Sequence, residues 1–277
     1  MVLALSQDRV LLARSTPTWV FAEERCQGQT DWARAIAAIV QRTASQGARV
    51  SVLLDASLYQ QVQIERPDVP DEELAGALPW AVKDFVSEHV TQLGLDYYTL
   101  PTNPAARPRL AVVGVNRARL HAIADAVNAV ARLERIGTEE LGLADLPGVV
   151  PQMVLLLYQL PDRDLQLLAI CDGRLCFSRQ LRGFVALTRQ PFSALDSLIA
   201  DNLLLELQRS MDYLVAQLKL PAVSLLLVAM STPDTDDLTA FLQRNLALSV
   251  QAVEPPAEAV GGHWLPLVGH LQQEWVE

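Results

Sequence analysis

Four aspartates beside tight turns are the residues of this chain best placed to do chemistry. Asp8, Asp55, Asp162 and Asp164 could hold Mg²⁺ between carboxylate oxygens; turn acids also recur simply because they cap their own backbone, and the capping reading is the expectation here. His89, His121, His263 and His270 show no HExxH-type spacing, and no cysteine stands near them in sequence, so no metal site is expected. Cys26, Cys171 and Cys176 are an odd set without a CxxC pair and read as reduced thiols buried in a cytosolic protein. No GxSxG elbow and no paired acid and base mark an enzyme acting on small molecules. No cofactor is expected.

Composition sets the outer limits. A chain of 277 residues, 51% hydrophobic and 19% charged, has enough apolar side chain for one large domain or two ordinary ones. A formal net charge of −10 argues against nucleic acid, whose phosphates call for clustered lysine and arginine. It argues equally against a basic patch on an anionic bilayer. The longest apolar runs, around Met153–Tyr158 and Ala222–Met230, are too short to cross a membrane and read as buried strands. No leader of signal-peptide type opens the chain.

The elements that position these residues follow from periodicity. LALS, RVLLAR and TWVFAEE read as strands; Thr30-Asp31 can cap a helix from Trp32 to about Ser45, and RVSVLLD (Arg49–Asp55) is a further buried strand. The order returns later. Strands are expected at Met153–Gln159, Leu165–Cys171 and Leu175–Leu181, then a helix over about Phe192–Leu218, the strand VSLLLVAM, and a helix near Asp236–Asn245. A two-residue turn at Asp172-Gly173 would set Cys171 opposite Arg174 and Cys176 opposite Ala169. In the long helix Leu204, Leu207, Met211, Leu214 and Leu218 suit a coiled coil, hence a homodimer, or a face buried on a sheet. Leu203 and Leu205 widen that face and favour burial.

Between the two runs lies different material. YQQVQIERP, LDYYTLP and RLAVVGV read as strands, and DEELAGALPWAVKDFV and ARLHAIADAVNAVARL as helices, forming a small α+β module inserted over about 58–130. Pro101–Arg109 is a proline-rich loop within it. Pro79 interrupts the stripe Leu74, Leu78, Val82, Phe85, so the helix kinks or restarts there. Trp80 falls off the stripe: it is either a core tryptophan or an exposed aromatic that meets a partner. Gly261-Gly262 reads as a loop.

Three stretches carry a family resemblance. Asp71–Leu100 is similar to the inserted-subdomain helix and "LDY" strand of the PilM and GspL families. LLLELQRSMDYLVAQ (Leu203–Gln217) resembles their "EIQRSLDYY"-like run, and ICDGRLCFSRQLRG (Ile170–Gly183) their "DGRxxFSRxI" hairpin. The resemblance implies an α/β actin-like ATPase fold. Residues 1–147 would form a first ribonuclease-H-like half, interrupted by the module, and 148–277 a second.

In working members of that fold, glycine and hydroxyl residues in the first hairpin of each half let backbone amides approach phosphate. Here the first turn, Leu5-Ser6-Gln7-Asp8-Arg9, has no glycine. The second, Tyr158-Gln159-Leu160-Pro161-Asp162, contains a proline with no N–H. The adenine-side turn, Ala229-Met230-Ser231-Thr232-Pro233, also lacks glycine. A degenerate nucleotide site, and so a pseudo-ATPase, is the expectation; an ATP-binding switch of weak affinity is the alternative. The resemblance further implies a cytoplasmic scaffold, peripheral at the inner membrane. It would bind the N-terminal tail of a PilN-like (MshJ-like) membrane protein, with a secretion ATPase as a further possible partner. The groove would run along the first-half strands and the 58–100 segment, with Val62, Ile64, Trp80 and Tyr97 as candidate contacts.

Overall fold

Strand β1 (Val2–Leu5) lies between two neighbours of opposite kind, antiparallel to β2 (Arg9–Arg14) and parallel to β4 (Arg49–Leu54), with Leu3 opposite both Leu12 and Val52. The structure is a computed structural model describing residues 1–16, 18–101, 107–230, 234–259 and 261–273. β3 (Val20–Arg25) extends the sheet beyond β2, and β8 (Arg132–Thr138) beyond β4, giving the order β3-β2-β1-β4-β8. Helix α1 (Trp32–Arg42) covers it because Trp32, Ala35, Ile36, Ile39 and Val40 recur at helical spacing and are all buried. Asp31 stands at the N-cap, but its carboxylate accepts from Gln27 N and from Arg34 and makes no cap bond to the helix.

The inserted material is narrower than 58–130. A separate sheet of order β5-β7-β6 is formed by β5 (Gln60–Glu65), β6 (Leu93–Leu100) and β7 (Arg109–Asn116), with α2 (Asp71–Val82) on one face. Helix α3 (Arg117–Asn128) sits in the same stretch of sequence but buries Ile123, Ala126 and Val127 in the core that holds α1. Its apolar stripe therefore assigns it to the main sheet. α2 runs unbroken through Pro79. The carbonyl of Ala75, deprived of its donor, lies on an exposed residue where water can reach it. Phe85 leaves the expected stripe: the helix ends at Val82 and Phe85 is 67% exposed.

After the short helix α4 (Glu139–Ala144) the second sheet repeats the first. β9 (Met153–Gln159), β10 (Leu165–Cys171), β11 (Arg174–Leu181), β12 (Val223–Met230) and β13 (Ser249–Ala252) take the order β11-β10-β9-β12-β13. The two sheets thus share one topology, third-second-first-fourth-fifth. Their helices are α5 (Ala186–Arg189), α6 (Ser197–Ala216) and α7 (Thr235–Asn245). α6 starts at Ser197, five residues later than expected, because Asp196 caps it by accepting from Leu198 N. Ala200, Leu203, Leu207, Ser210 and Leu214 form its buried face. Cys171 does lie opposite Arg174, but a bulge sets Ala169 against Phe177 and Ile170 against Leu175. Cys176 is the extra residue and has no direct partner in the ladder.

The chain divides into two compact units. One holds residues 1–100, 106–143 and 266–277; the other holds 101–105 and 144–265. The last described helix, α8 (Leu265–Gln273), belongs from Pro266 onward to the first unit, in contrast to the expected second half over 148–277.

Candidate functional site

The β1–β2 turn closes on itself. Ser6 N donates to Arg9 O at 3.1 Å, and the Ser6 hydroxyl donates to Asp8 Oδ1 at 2.7 Å while accepting from the amides of Asp8 and Arg9 at 3.4 and 3.2 Å. Those amides are the donors that a phosphate would need. Asp8 Oδ2 pairs with Arg9 at 3.0 Å, and this contact holds the Asp8 carboxyl below the usual carboxylate range. The turn's carbonyls are occupied as well: Ser6 O accepts from Trp32 Nε1, Gln7 O from Gly28 N, and Asp8 O from Cys26 N.

The β9–β10 turn is closed by other means. Gln159 is fully buried, and its amide nitrogen donates to Arg163 O at 2.8 Å and Phe184 O at 3.1 Å. Asp162, at φ 62°, pairs with Arg189 at 2.7 Å. Of the other two acids proposed as a Mg²⁺ set, Asp55 accepts from Ser57 N and Oγ, and Asp164 faces Arg182 at 4.0 Å. Among the described residues no group of three or more carboxylate, imidazole or thiol side chains is placed to hold a metal. Each acid answers to a local partner.

Of the third turn, Ser231, Thr232 and Pro233 lie outside the described residues; Ala229 and Met230 are the buried end of β12. Beside Met230 a cavity of about 530 Å³ is lined by Thr235, Asp236, Glu254, Gly261 and Gly262 among others, with no lysine or arginine among the described residues of its wall. Two carboxylates and no cation make it a poor host for a polyphosphate.

The four candidate partner contacts do not share a surface. Val62, Ile64 and Tyr97 pack beneath α2 with Leu74, Leu78 and Val82 in the module's own core, and Ile64 is only 9% exposed. Trp80 lies on the outer side of α2, 76% exposed, with the Lys83 ammonium 5.4 Å from its ring centroid. Of the two readings of this tryptophan, the structure takes the exposed one.

The opposite face of the module sheet carries a polar chain that sequence reasoning missed. Tyr98 Oη donates to Gln61 Oε1 at 3.3 Å, and Gln61 Nε2 donates to Glu140 Oε2 at 2.9 Å. Glu139 accepts from Ala56 N at 3.2 Å. Glu140 is buried; the phenol pKa of Tyr98 is raised by burial and then by Glu140, and that of Tyr59 by burial and then by Glu140 and Glu139. The chain ties the module to the ends of β4 and β8, joining residues 79 apart in sequence. The alternation of YQQVQIE was the available signal, since it sets Gln61 and Gln63 on the face away from α2.

No family model matches the chain, and no curated protein matches its sequence. Solved structures do. A protein of the PilM–PilN type IV pilus biogenesis complex superposes with a TM-score of 0.67 at 15% identity, covering 99% of this chain and 98% of that one. The cytoplasmic domain of EpsL, an inner-membrane component of the type II secretion system of Vibrio cholerae, gives 0.54 at 17% identity over 98% and 94%. A Bacteroides thetaiotaomicron protein described as having an actin-like ATPase fold gives 0.53 at 11% identity over 98% and 94%. At these identities the likeness is one of fold, and the fold is the actin-like ATPase fold.

Proposed function

We propose that this chain is a non-enzymatic scaffold of a bacterial inner-membrane assembly platform of type IV pilus type, binding the cytoplasmic N-terminal tail of a PilN-like membrane protein. Likeness over nearly its whole length to a protein solved as a PilM–PilN complex carries the reading. The two self-closed turns support the pseudo-ATPase part. Each satisfies internally the donors or carboxylates that nucleotide and Mg²⁺ would require. Among the described residues no helix is long and apolar enough to cross a membrane, so a place at the inner membrane is assigned to capture by the partner. Within the family resemblance, the chain is similar to the short acidic forms typified by the MSHA pilus protein MshI. The partner is then MshJ-like.

The test is a titration with a synthetic tail. A flexible segment of about ten residues loses entropy on ordering, so an affinity on the order of micromolar is expected unless the platform is multivalent. Cell fractionation with and without the partner gives the second readout. The scaffold role is wrong if the protein stays with the membrane after the partner is deleted, or if the peptide does not bind at hundreds of micromolar, about −5 kcal/mol.

A further inference from the structure

The first unit carries a cleft of about 550 Å³ at the end of its sheet remote from the β1–β2 turn, where β2 finishes and β4 begins. Its polar wall is Arg14, Ser15, Thr16, Ser45, Gln46 and Arg49, and among the described residues no acid lines it. In a chain with 32 acids to 22 bases, two arginines in one cleft whose described lining holds no carboxylate run against the overall bias.

The Ser45 hydroxyl is committed to Thr43, but other donors here are uncommitted. The Arg14 side chain makes no hydrogen bond or ion pair among the described residues, and its Nε is buried without an acceptor. The Ser15 and Thr16 hydroxyls are likewise uncommitted within the described residues. Arg49 pairs with Glu134 at 3.3 Å, with its own side chain 75% exposed, a pairing that solvent weakens. A guanidinium fork binds oxyanions through paired N–H donors. Two forks with two hydroxyls and an amide offer more donors than the two oxygens of a carboxylate can use, which suits the three terminal oxygens of a phosphate.

We propose that this cleft is a binding site for a phosphate group carried by a small molecule or a lipid headgroup. Arg14 and Arg49 form the charged clamp, with Ser15, Thr16 and Gln46 as neutral donors. The cleft has room for the phosphate and a short organic body. With a chain charge of −10, attraction to a diffuse anionic surface is not the cause; the donors inside the cleft are.

The probes are sn-glycerol 3-phosphate, followed by calorimetry on the full chain, and vesicles of phosphatidylglycerol against phosphatidylcholine, followed by co-sedimentation. A dissociation constant on the order of 1 mM or tighter is expected for glycerol phosphate. Arg14→Gln should weaken it at least about tenfold and Thr16→Ala about threefold, on the usual scale of charged and neutral hydrogen bonds. Arg117→Gln, at an exposed position at the start of α3, makes the same change in net charge and should have no effect. Binding of the soluble ester alone assigns the site to free phosphates; Arg14-dependent sedimentation with phosphatidylglycerol assigns it to a headgroup; either supports the proposal. Should Arg14→Gln fail to fold, Arg49→Gln and Thr16→Ala decide. The proposal is overturned if neither probe binds, if acetate binds as well as glycerol phosphate, or if folded cleft variants bind like the parent.

Discussion

Ser6 and Gln159 stand at corresponding places, at the ends of the first strands of two sheets with the same topology. Each fastens its hairpin with its own side chain. In Ser6 the hydroxyl serves two amides and one carboxylate; in Gln159 a buried amide bridges the carbonyls of Arg163 and Phe184, the second of which also accepts from Leu187 N. Gln159→Leu keeps the volume and removes both bonds, so a loss of roughly 1–3 kcal/mol is expected. The buried Gln159 Oε1 has no partner among the described residues, and losing it offsets part of that cost, placing the result toward the low end. The shift in urea midpoint at constant slope measures it. By the same geometry, Mg-ATP titrated to about 1 mM should give no saturable heat. A dissociation constant below that value, abolished by Asp8→Ala or Asp162→Ala, would show that the turns can open.

Helix α2 separates packing from recognition among neighbouring residues. Ile64 lies under it and Trp80 on top. Ile64→Ala empties a filled core position and should cost about 2–5 kcal/mol. Trp80→Ser should change stability by no more than about 0.5 kcal/mol. If the outer face of α2 takes part in partner capture, Trp80→Ser weakens tail binding while leaving the melting transition in place. Unchanged affinity would move the contact elsewhere on the first unit. The difference between these residues also shows what the sequence could reveal. Strand and helix order was legible because apolar period and turn residues act locally, as in RVLLAR, WARAIAAIV and VSLLLVAM. The Tyr98–Gln61–Glu140 chain was not legible, because residues 79 apart meet only after the module has folded onto the first sheet. Trp80 was ambiguous because off-stripe position does not distinguish solvent from a second packing surface. The bulge at Cys176 depends on a register slip that the even spacing around Asp172-Gly173 conceals.

At the scale of the whole molecule, the last described helix returns to the unit that holds β1. From Pro266 onward α8 belongs to the first unit, where Leu267, Val268 and Leu271 are buried and Gly142 packs so closely on the Pro266 backbone that a Cβ would collide with it. His270 is buried in the same helix with Nε2 3.3 Å from an Arg135 guanidinium nitrogen. Arg135 also reaches Ser51 on β4, at 3.2 Å. A neutral imidazole can accept from the guanidinium, whereas an imidazolium would face it as a like charge. Burial first, then Arg135 and the amino terminus, lower the His270 pKa from 6.5 to about 4. The unfolded chain therefore binds the proton more readily than the native one. Stability is fully present above pH 6.5 and falls as pH drops through the window toward 4. Between pH 7 and pH 5 this amounts to about 2 kcal/mol. Two units need not unfold together, so a single melting point is a poor gauge; hydrogen exchange at the β4 amides, such as Val52, reads the first unit directly. Protection at those amides should drop between pH 7 and pH 5, after correction for intrinsic exchange. In His270→Leu the drop should shrink, because the titrating group is gone. An equal drop in both proteins would assign the acid sensitivity to the unit's ion pairs rather than to the anchoring of α8.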